Sequence, residues 1–181
     1  MNIIQFNAAI AVKEFTKHDI LKEQILEYIN DSPAENIKTK QGSDISRCDW
    51  GLVNLRREWV HELMPLLEPE VVEIFNNLGY QYCKIYNIWF QQYSKNSFHN
   101  WHVHTECQWT SVYYLDLPDA TPRTELIDPI TKKIVTLDIK EGDIVCFPSF
   151  VIHRAPINQS EKTKTIISFN SGTDIGEGVY Q

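Results

Sequence analysis

The sequence predicts an α+β protein: an antiparallel double-stranded β-helix, or jelly roll, with N-terminal helices packed on one of its sheets. Three observations carry that expectation. Up to about residue 80, apolar residues recur at helical spacing. Beyond it, β-branched and aromatic residues form short runs broken by turn residues. No helical stretch separates those runs, which excludes a doubly wound parallel sheet.

The 181 residues match one domain, expected to span 1–181 with a helical part at about 12–80 and a jelly-roll core at about 81–171. A content of 43% hydrophobic and 23% charged residues suits a globule with a core and not a disordered chain. The formal charge of −7 makes a poor general match to phosphate backbones, so nucleic acid is not an expected partner. No apolar run approaches the roughly 20 residues that cross a bilayer, so no membrane partner is expected either. Met1–Phe6 lacks the charged start and apolar stretch of a signal peptide. Cys48, Cys83, Cys107 and Cys146 show no zinc spacing and read as reduced thiols of a cytoplasmic protein. Oligomeric state is left open, a dimer included.

Taken in order, Leu21, Ile25, Leu26 and Ile29 define a first helix that Asn30-Asp31-Ser32-Pro33 stops. Residues 33–56 are polar and mixed and predict no element. A second helix carries Leu66, Leu67, Val71, Ile74, Phe75 and Leu78, with Pro65 and Pro69 placed in its first turn and Gly79 just past its end. Strands are expected at 83–93, 101–105, 109–117, 133–139, 143–147, 150–154 and 163–170. The breaks between them hold Ser94-Lys95-Asn96, Pro118-Asp119, Asp128-Pro129, Glu141-Gly142-Asp143 and Asn158-Gln159-Ser160.

The histidines are unevenly spread. His18 is expected on the polar surface of the first helix, and His61 reads as structural. His99, His102 and His104 fall within six residues, and His153 stands 49 residues after His104. Residues two apart in a strand share a face, so His102 and His104 can point into one cavity. A third ligand from a distant strand would complete a facial set on a metal, leaving positions open for substrate or oxygen. His153, beyond the turn, apolar strand and second turn of residues 142–152, is the residue that can return opposite that pair.

Several of these stretches resemble the iron(II)- and 2-oxoglutarate-dependent oxygenases, in particular a small phage and marine bacterial branch of hydroxylases. Trp101-His102-Val103-His104-Thr105 followed by Ser111-Val112-Tyr113-Tyr114-Leu115 is similar to that branch's HxH segment and the strand after it. Gly142-Asp143-Ile144-Val145-Cys146-Phe147-Pro148-Ser149 with His153, and Lys164-Thr165-Ile166-Ile167-Ser168-Phe169-Asn170, are similar to its later segments. Ser46-Arg47-Cys48-Asp49-Trp50 is a fainter match to its N-terminal region. Together the stronger matches cover about residues 87–171.

The resemblance implies bound Fe(II), 2-oxoglutarate as cosubstrate, O2, and hydroxylation of a small molecule or protein side chain, in the host cytoplasm if the source is viral. Two departures from the superfamily pattern bear on the site. The usual His-x-Asp/Glu is here His102-x-His104, while His104 precedes Glu106 at the same spacing. The third ligand is therefore open: His102, His104 and His153 form one triad, and His104, Glu106 and His153 the other, with His102 then beside the metal. A site of two histidines completed by water is the remaining option. Tyr93, nine residues before His102, matches the spacing of a tyrosine common in the superfamily and favours the all-histidine triad. The second departure is Lys164, eleven residues after His153, where the family's arginine pairs with the distal carboxylate of 2-oxoglutarate. An ammonium serves there as a point charge; Arg154 and Arg123 are the rival cations. Ser168, Tyr93 and Tyr114 are implied as further cosubstrate contacts, and Trp89, Trp101 and Trp109 as candidate walls. Two other classes share the architecture: a cupin-like metalloenzyme without 2-oxoglutarate, and a non-enzymatic jelly-roll module.

Overall fold

The apolar runs after residue 80 are nearly continuous because the strands they form are covered on both faces. The computed structural model describes residues 8–40, 42–52, 55–119 and 121–174; the Met1–Phe6 stretch lies outside them. The helices are α1 (His18–Asp31) and α2 (Glu58–Asn77). The strands are β1 (Ala11–Glu14), β2 (Glu35–Lys38), β3 (Asp44–Cys48), β4 (Tyr82–Tyr93), β5 (His99–His102) and β6 (Trp109–Asp116). They continue with β7 (Glu125–Ile127), β8 (Ile134–Thr136), β9 (Asp143–Pro148), β10 (His153–Ala155) and β11 (Lys164–Asp174). One sheet has the order β1-β9-β6-β11-β4-β3-β2 and the other β5-β10-β7-β8. Their pairings are antiparallel. This is the double-stranded β-helix the sequence predicts.

Side chains of β4, β6, β9 and β11 divide by parity. Ile88, Phe90, Tyr113, Ile144, Ile167 and Phe169 face the helices and share a core with Ile25, Ile29, Leu63, Leu67 and Phe75. Their chain neighbours Trp89, Val112, Tyr114, Val145, Phe147 and Ile166 belong to a second core between the sheets. Each run is thus two alternating sets, one per core, and burial of both is what pins the register.

Four expectations are corrected. First, α2 begins at Glu58, so Pro65 and Pro69 lie within the helix and not in its first turn. Both prolines are exposed, and the carbonyls they leave unbonded belong to His61 and Pro65, which are exposed as well. Second, residues 33–56 hold the hairpin β2–β3, tied to β4 through Arg47↔Gln92 and Cys48↔Gln91. There Arg47 donates to the carbonyls of Ile29, Asn30 and Ser32, capping the end of α1. Third, three short strands are shifted or trimmed, to 99–102, 134–136 and 153–155, while β1 and β7 add to the set. Fourth, His18 is not on the surface: it is buried at the start of α1, its Nδ1 2.8 Å from the Tyr113 hydroxyl. A helix that enters the core at its first residue carries that residue inward with it. Gly142, with φ +87°, makes the room, since a Cβ there would lie 3.1 Å from the His18 ring.

Asp49 joins α2 to the large sheet. Its carboxylate is 1% exposed and accepts from the Phe90 N–H at 2.9 Å and the Trp59 indole at 3.1 Å, with Arg57 at 3.4 Å. Removing it strands buried donors, so Asp49→Ala is expected to lower the unfolding free energy by about 3 kcal/mol. Urea unfolding checks this, and a loss under about 1 kcal/mol would contradict the assignment.

Candidate metal centre

Register in the small sheet creates the histidine cluster. β10 lies between β5 and β7, and its pairing with β5 sets His153 directly opposite His102. Their ring centroids are 4.1 Å apart. His104 lies two residues beyond the end of β5, so extended alternation alone does not place it. Its N–H donates to the Ser149 carbonyl at 3.1 Å, fastening it to the turn that precedes β10. The ligand atoms of His102, His104 and His153 all lie within 4.8 Å of one another.

Each ring has a fixed tautomer. The Nδ1 atoms of His102 and His153 meet the backbone carbonyls of Asn100 at 2.7 Å and Val151 at 2.9 Å. That of His104 meets the side-chain oxygen of Asn170 at 2.7 Å. Oxygens that only accept require the proton on Nδ1, which leaves each Nε2 as a lone pair. Burial holds the rings neutral: removal from water pushes His153 down to about 2 and His102 to about 4, neighbouring imidazoles adding to the effect, and lowers His104 too. Three neutral imidazoles with converging lone pairs can hold a transition metal.

The cluster opens on a cavity of about 450 Å³ between the sheets. Tyr93 and Ser168 line it; Ser168 donates to Gln91 at 3.1 Å, and the buried Tyr93 hydroxyl has no partner among the described residues. Lys164 pairs directly with Tyr93 across β11 and β4, and its ammonium sits 4.9 Å from the Tyr93 ring centroid. It shares the β11 face of Ile166, Ser168 and Asn170, which line the cavity, but lies behind Tyr93. Fully buried, it donates to the Pro122 carbonyl at 2.8 Å and forms no ion pair among the described residues. Burial, helped by Arg123, pulls it down to about 7.

Other candidates are placed differently. Tyr114 is outside the cavity lining, with its hydroxyl given to Thr124 at 2.7 Å; Thr124 is the residue that reaches the cavity. Arg123 donates to the carbonyls of Ile139, Asp119 and Thr121. Arg154 does line the cavity, contrary to simple strand alternation, but is ion-paired with Glu125 at 2.7 Å and lies over Trp101. Trp89 and Trp101 are walls, whereas Trp109 faces the helices. Glu106 lines the cavity at φ +63° and is exposed, outside the three-histidine cluster. Sequence reasoning missed three contributors: Asn170, Thr124 and Trp50. Asn170 was within reach, since it closes a quoted motif at even spacing from Ser168. Trp50 closes the fainter quoted motif at 46–50, whereas Thr124 sits in an irregular segment with no such signal.

No family model matches the sequence, and no curated protein matches it significantly. Solved structures do. An oxidoreductase of the 2OG-Fe(II) oxygenase family from Burkholderia pseudomallei superimposes with a TM-score of 0.72, at 14% identity over 90% of this chain and 85% of its own. A Pseudomonas putida prolyl-4-hydroxylase gives 0.63 at 12% identity, covering 91% and 92%. The epimerase SnoN from nogalamycin biosynthesis, in complex with Fe3+, alpha ketoglutarate and nogalamycin RO, gives 0.68 at 8% identity, covering 93% and 80%. The fold of this chain is that of the 2OG-Fe(II) oxygenases. Among the described residues no helix is long and apolar enough to cross a membrane.

Neutral burial of these rings has a thermodynamic consequence. Unfolded histidines protonate near pH 6.5, while the folded His99, His102 and His153 resist until about 3, 4 and 2. The unfolded state therefore binds more protons below pH 6.5, and stability of the metal-free protein falls as the pH falls. Urea midpoints at pH 7.5 and 5.5 are expected to differ in that direction; equal midpoints would contradict it.

Proposed function

We propose that this protein is an iron(II)- and 2-oxoglutarate-dependent oxygenase acting as a hydroxylase. His102, His104 and His153 hold the iron, and Lys164 holds the distal carboxylate of 2-oxoglutarate. The observation that carries the reading is the tautomer set: all three Nδ1 protons are given to oxygens, so three Nε2 lone pairs converge on one point beside a cavity. The fold is the one its solved relatives use, and the motif resemblance runs through the same strands.

The residues fit the cosubstrate as well. Among the described residues the buried ammonium has no carboxylate partner and the buried phenol has no partner, which is costly in isolation; a dicarboxylate in the cavity would meet the phenol directly and the ammonium by reaching past Tyr93. Bound iron and 2-oxoglutarate would supply O2-driven decarboxylation of the cosubstrate to succinate and CO2, coupled to conversion of a substrate C–H to C–OH. The chain's own part is positional. Lys164, Tyr93 and Ser168 orient the cosubstrate, with Tyr114 supporting Thr124 from behind. Trp89, stacked on His104 with centroids 5.8 Å apart, holds that ring and shields it from water.

Iron affinity tests the ligand set. His153→Ala and His102→Gln are each expected to lose iron while the fold survives, whereas Glu106→Gln retains it. A Glu106→Gln loss exceeding that of His102→Gln would replace the all-histidine triad by the carboxylate one.

Lys164→Ala is expected to raise the 2-oxoglutarate concentration needed for succinate release about ten- to a hundredfold, with iron binding intact. The wild-type protein should also lose affinity for 2-oxoglutarate as the pH rises above about 7, because free Lys164 gives up its proton there and only the ammonium pairs with the carboxylate. Calorimetry from pH 6.5 to 9 measures this, and a flat profile would exclude Lys164 as the anchor.

A further inference from the structure

The mouth of the cavity differs from its floor. Among the described cavity-lining residues the non-histidine charges are Arg154 and Glu106, and Arg154 is neutralised by Glu125. Glu106 forms no ion pair among the described residues and sits in a left-handed conformation that a glutamate adopts only at some cost. The same lining leaves apolar surface in water: Trp50 is 57% exposed and Val103 44%. The Trp50 ring is backed by Trp89, centroids 6.1 Å apart. An exposed indole and one carboxylate without an ion pair among the described residues, both lining one cavity, match a cation on an apolar stem. The same wall already shows this pairing internally, with the Arg154 guanidinium 4.4 Å from the Trp101 ring centroid.

From this arrangement we infer that the substrate is a basic aliphatic group, an ammonium on a short alkyl stem such as a lysine side chain, whose charge docks on Glu106 while its stem lies along Trp50 and Val103. The assignment rests on the oxygenase reading for what is then done to the substrate, but not for the binding itself. Chain geometry fixes the scale. Glu106 is two residues from His104, so their Cα atoms are at most about 7.6 Å apart. A group held at Glu106 therefore lies about one side chain's length from the backbone that carries His104. The cavity volume must also accommodate the cosubstrate, which limits what the substrate buries there to a short stem. The protein's charge of −7 attracts such a ligand at long range.

Isothermal titration of the purified protein with L-lysine and with the peptide acetyl-Gly-Lys-Gly-amide tests the inference. L-Norleucine, which lacks only the terminal ammonium, and L-glutamate serve as controls. At least one lysine probe should bind about tenfold or more tightly than norleucine, and Glu106→Gln and Trp50→Ala should each abolish that preference. Tighter binding of free lysine points to a metabolite, and of the peptide to a protein side chain; either supports the inference. Equal binding of lysine and norleucine, binding of neither lysine probe, or a preference that survives Glu106→Gln would overturn it, even if succinate is formed. Conversely, lysine selectivity in a protein that retains no iron would leave this inference standing and remove the oxygenase reading.

Discussion

Side-by-side imidazoles can be kept dry only if each has somewhere to put its single N–H and none needs to carry charge. That constraint organises this molecule. His102, His104 and His153 lie within a few ångströms of one another, and as charged rings they would repel strongly in a poorly screened interior. The Asn100 and Val151 carbonyls and the Asn170 amide remove the difficulty by taking the protons on the outer side of the cluster. Two of these acceptors are backbone groups close in sequence to the ring they orient, so the strand ends that position the histidines also fix their tautomers. The third comes from β11 in the opposite sheet, which makes the His104 orientation depend on the two sheets holding their spacing.

That spacing is in turn set by the helices. β4 and β11 carry the cavity residues Trp89, Gln91, Tyr93, Ile166, Ser168 and Asn170 on one face, and Ile88, Phe90, Ile167 and Phe169 on the other. Without α1 and α2 the second set would lie in water, and register would lose half of its specification. The helical core therefore has a consequence at the histidine cluster: it holds the parity that points Asn170 at His104 and Lys164 at the Tyr93 ring. The Asp49 junction, which ties Trp59 of α2 to the Phe90 backbone, is where this coupling is most concentrated.

Much of this was legible in the residues because periodicity and even spacing report faces directly. The long strands 83–93, 109–117 and 143–147, the stop of α1 and the turn at Gly79 follow from local chemistry. So did His102, His104 and His153, although His104 reaches the cluster through a loop hydrogen bond where a strand was expected. What stayed hidden depends on contacts distant in sequence. The β2–β3 hairpin is polar because it runs along a sheet edge, and its register comes from Gln92 and Gln91 of β4. His18 reads as surface from its own helix, and only Tyr113 and the space above Gly142 make it interior. Spacing also could not choose between Arg154 and Lys164 as the free cation, since that turns on Glu125, which neutralises one and not the other.

Glu106 shows the same limit at the point where it matters most. In sequence, His104 and Glu106 repeat the separation of His102 and His104, and the two triads are equivalent by counting. In space they are not. β5 ends at His102, and by residue 106 the backbone has turned through a left-handed φ, which sets the carboxylate at the cavity mouth outside the histidine cluster. The chain thus separates two roles that a carboxylate ligand would merge. The cluster is built entirely from neutral groups, while the negative charge stands among the exposed lining residues, as Trp50 does. A carboxylate at the rim of a cavity faces solvent and lies apart from the imidazoles of the floor. In partly exposed surroundings the leverage of a charge is on selectivity between ligands more than on raw affinity.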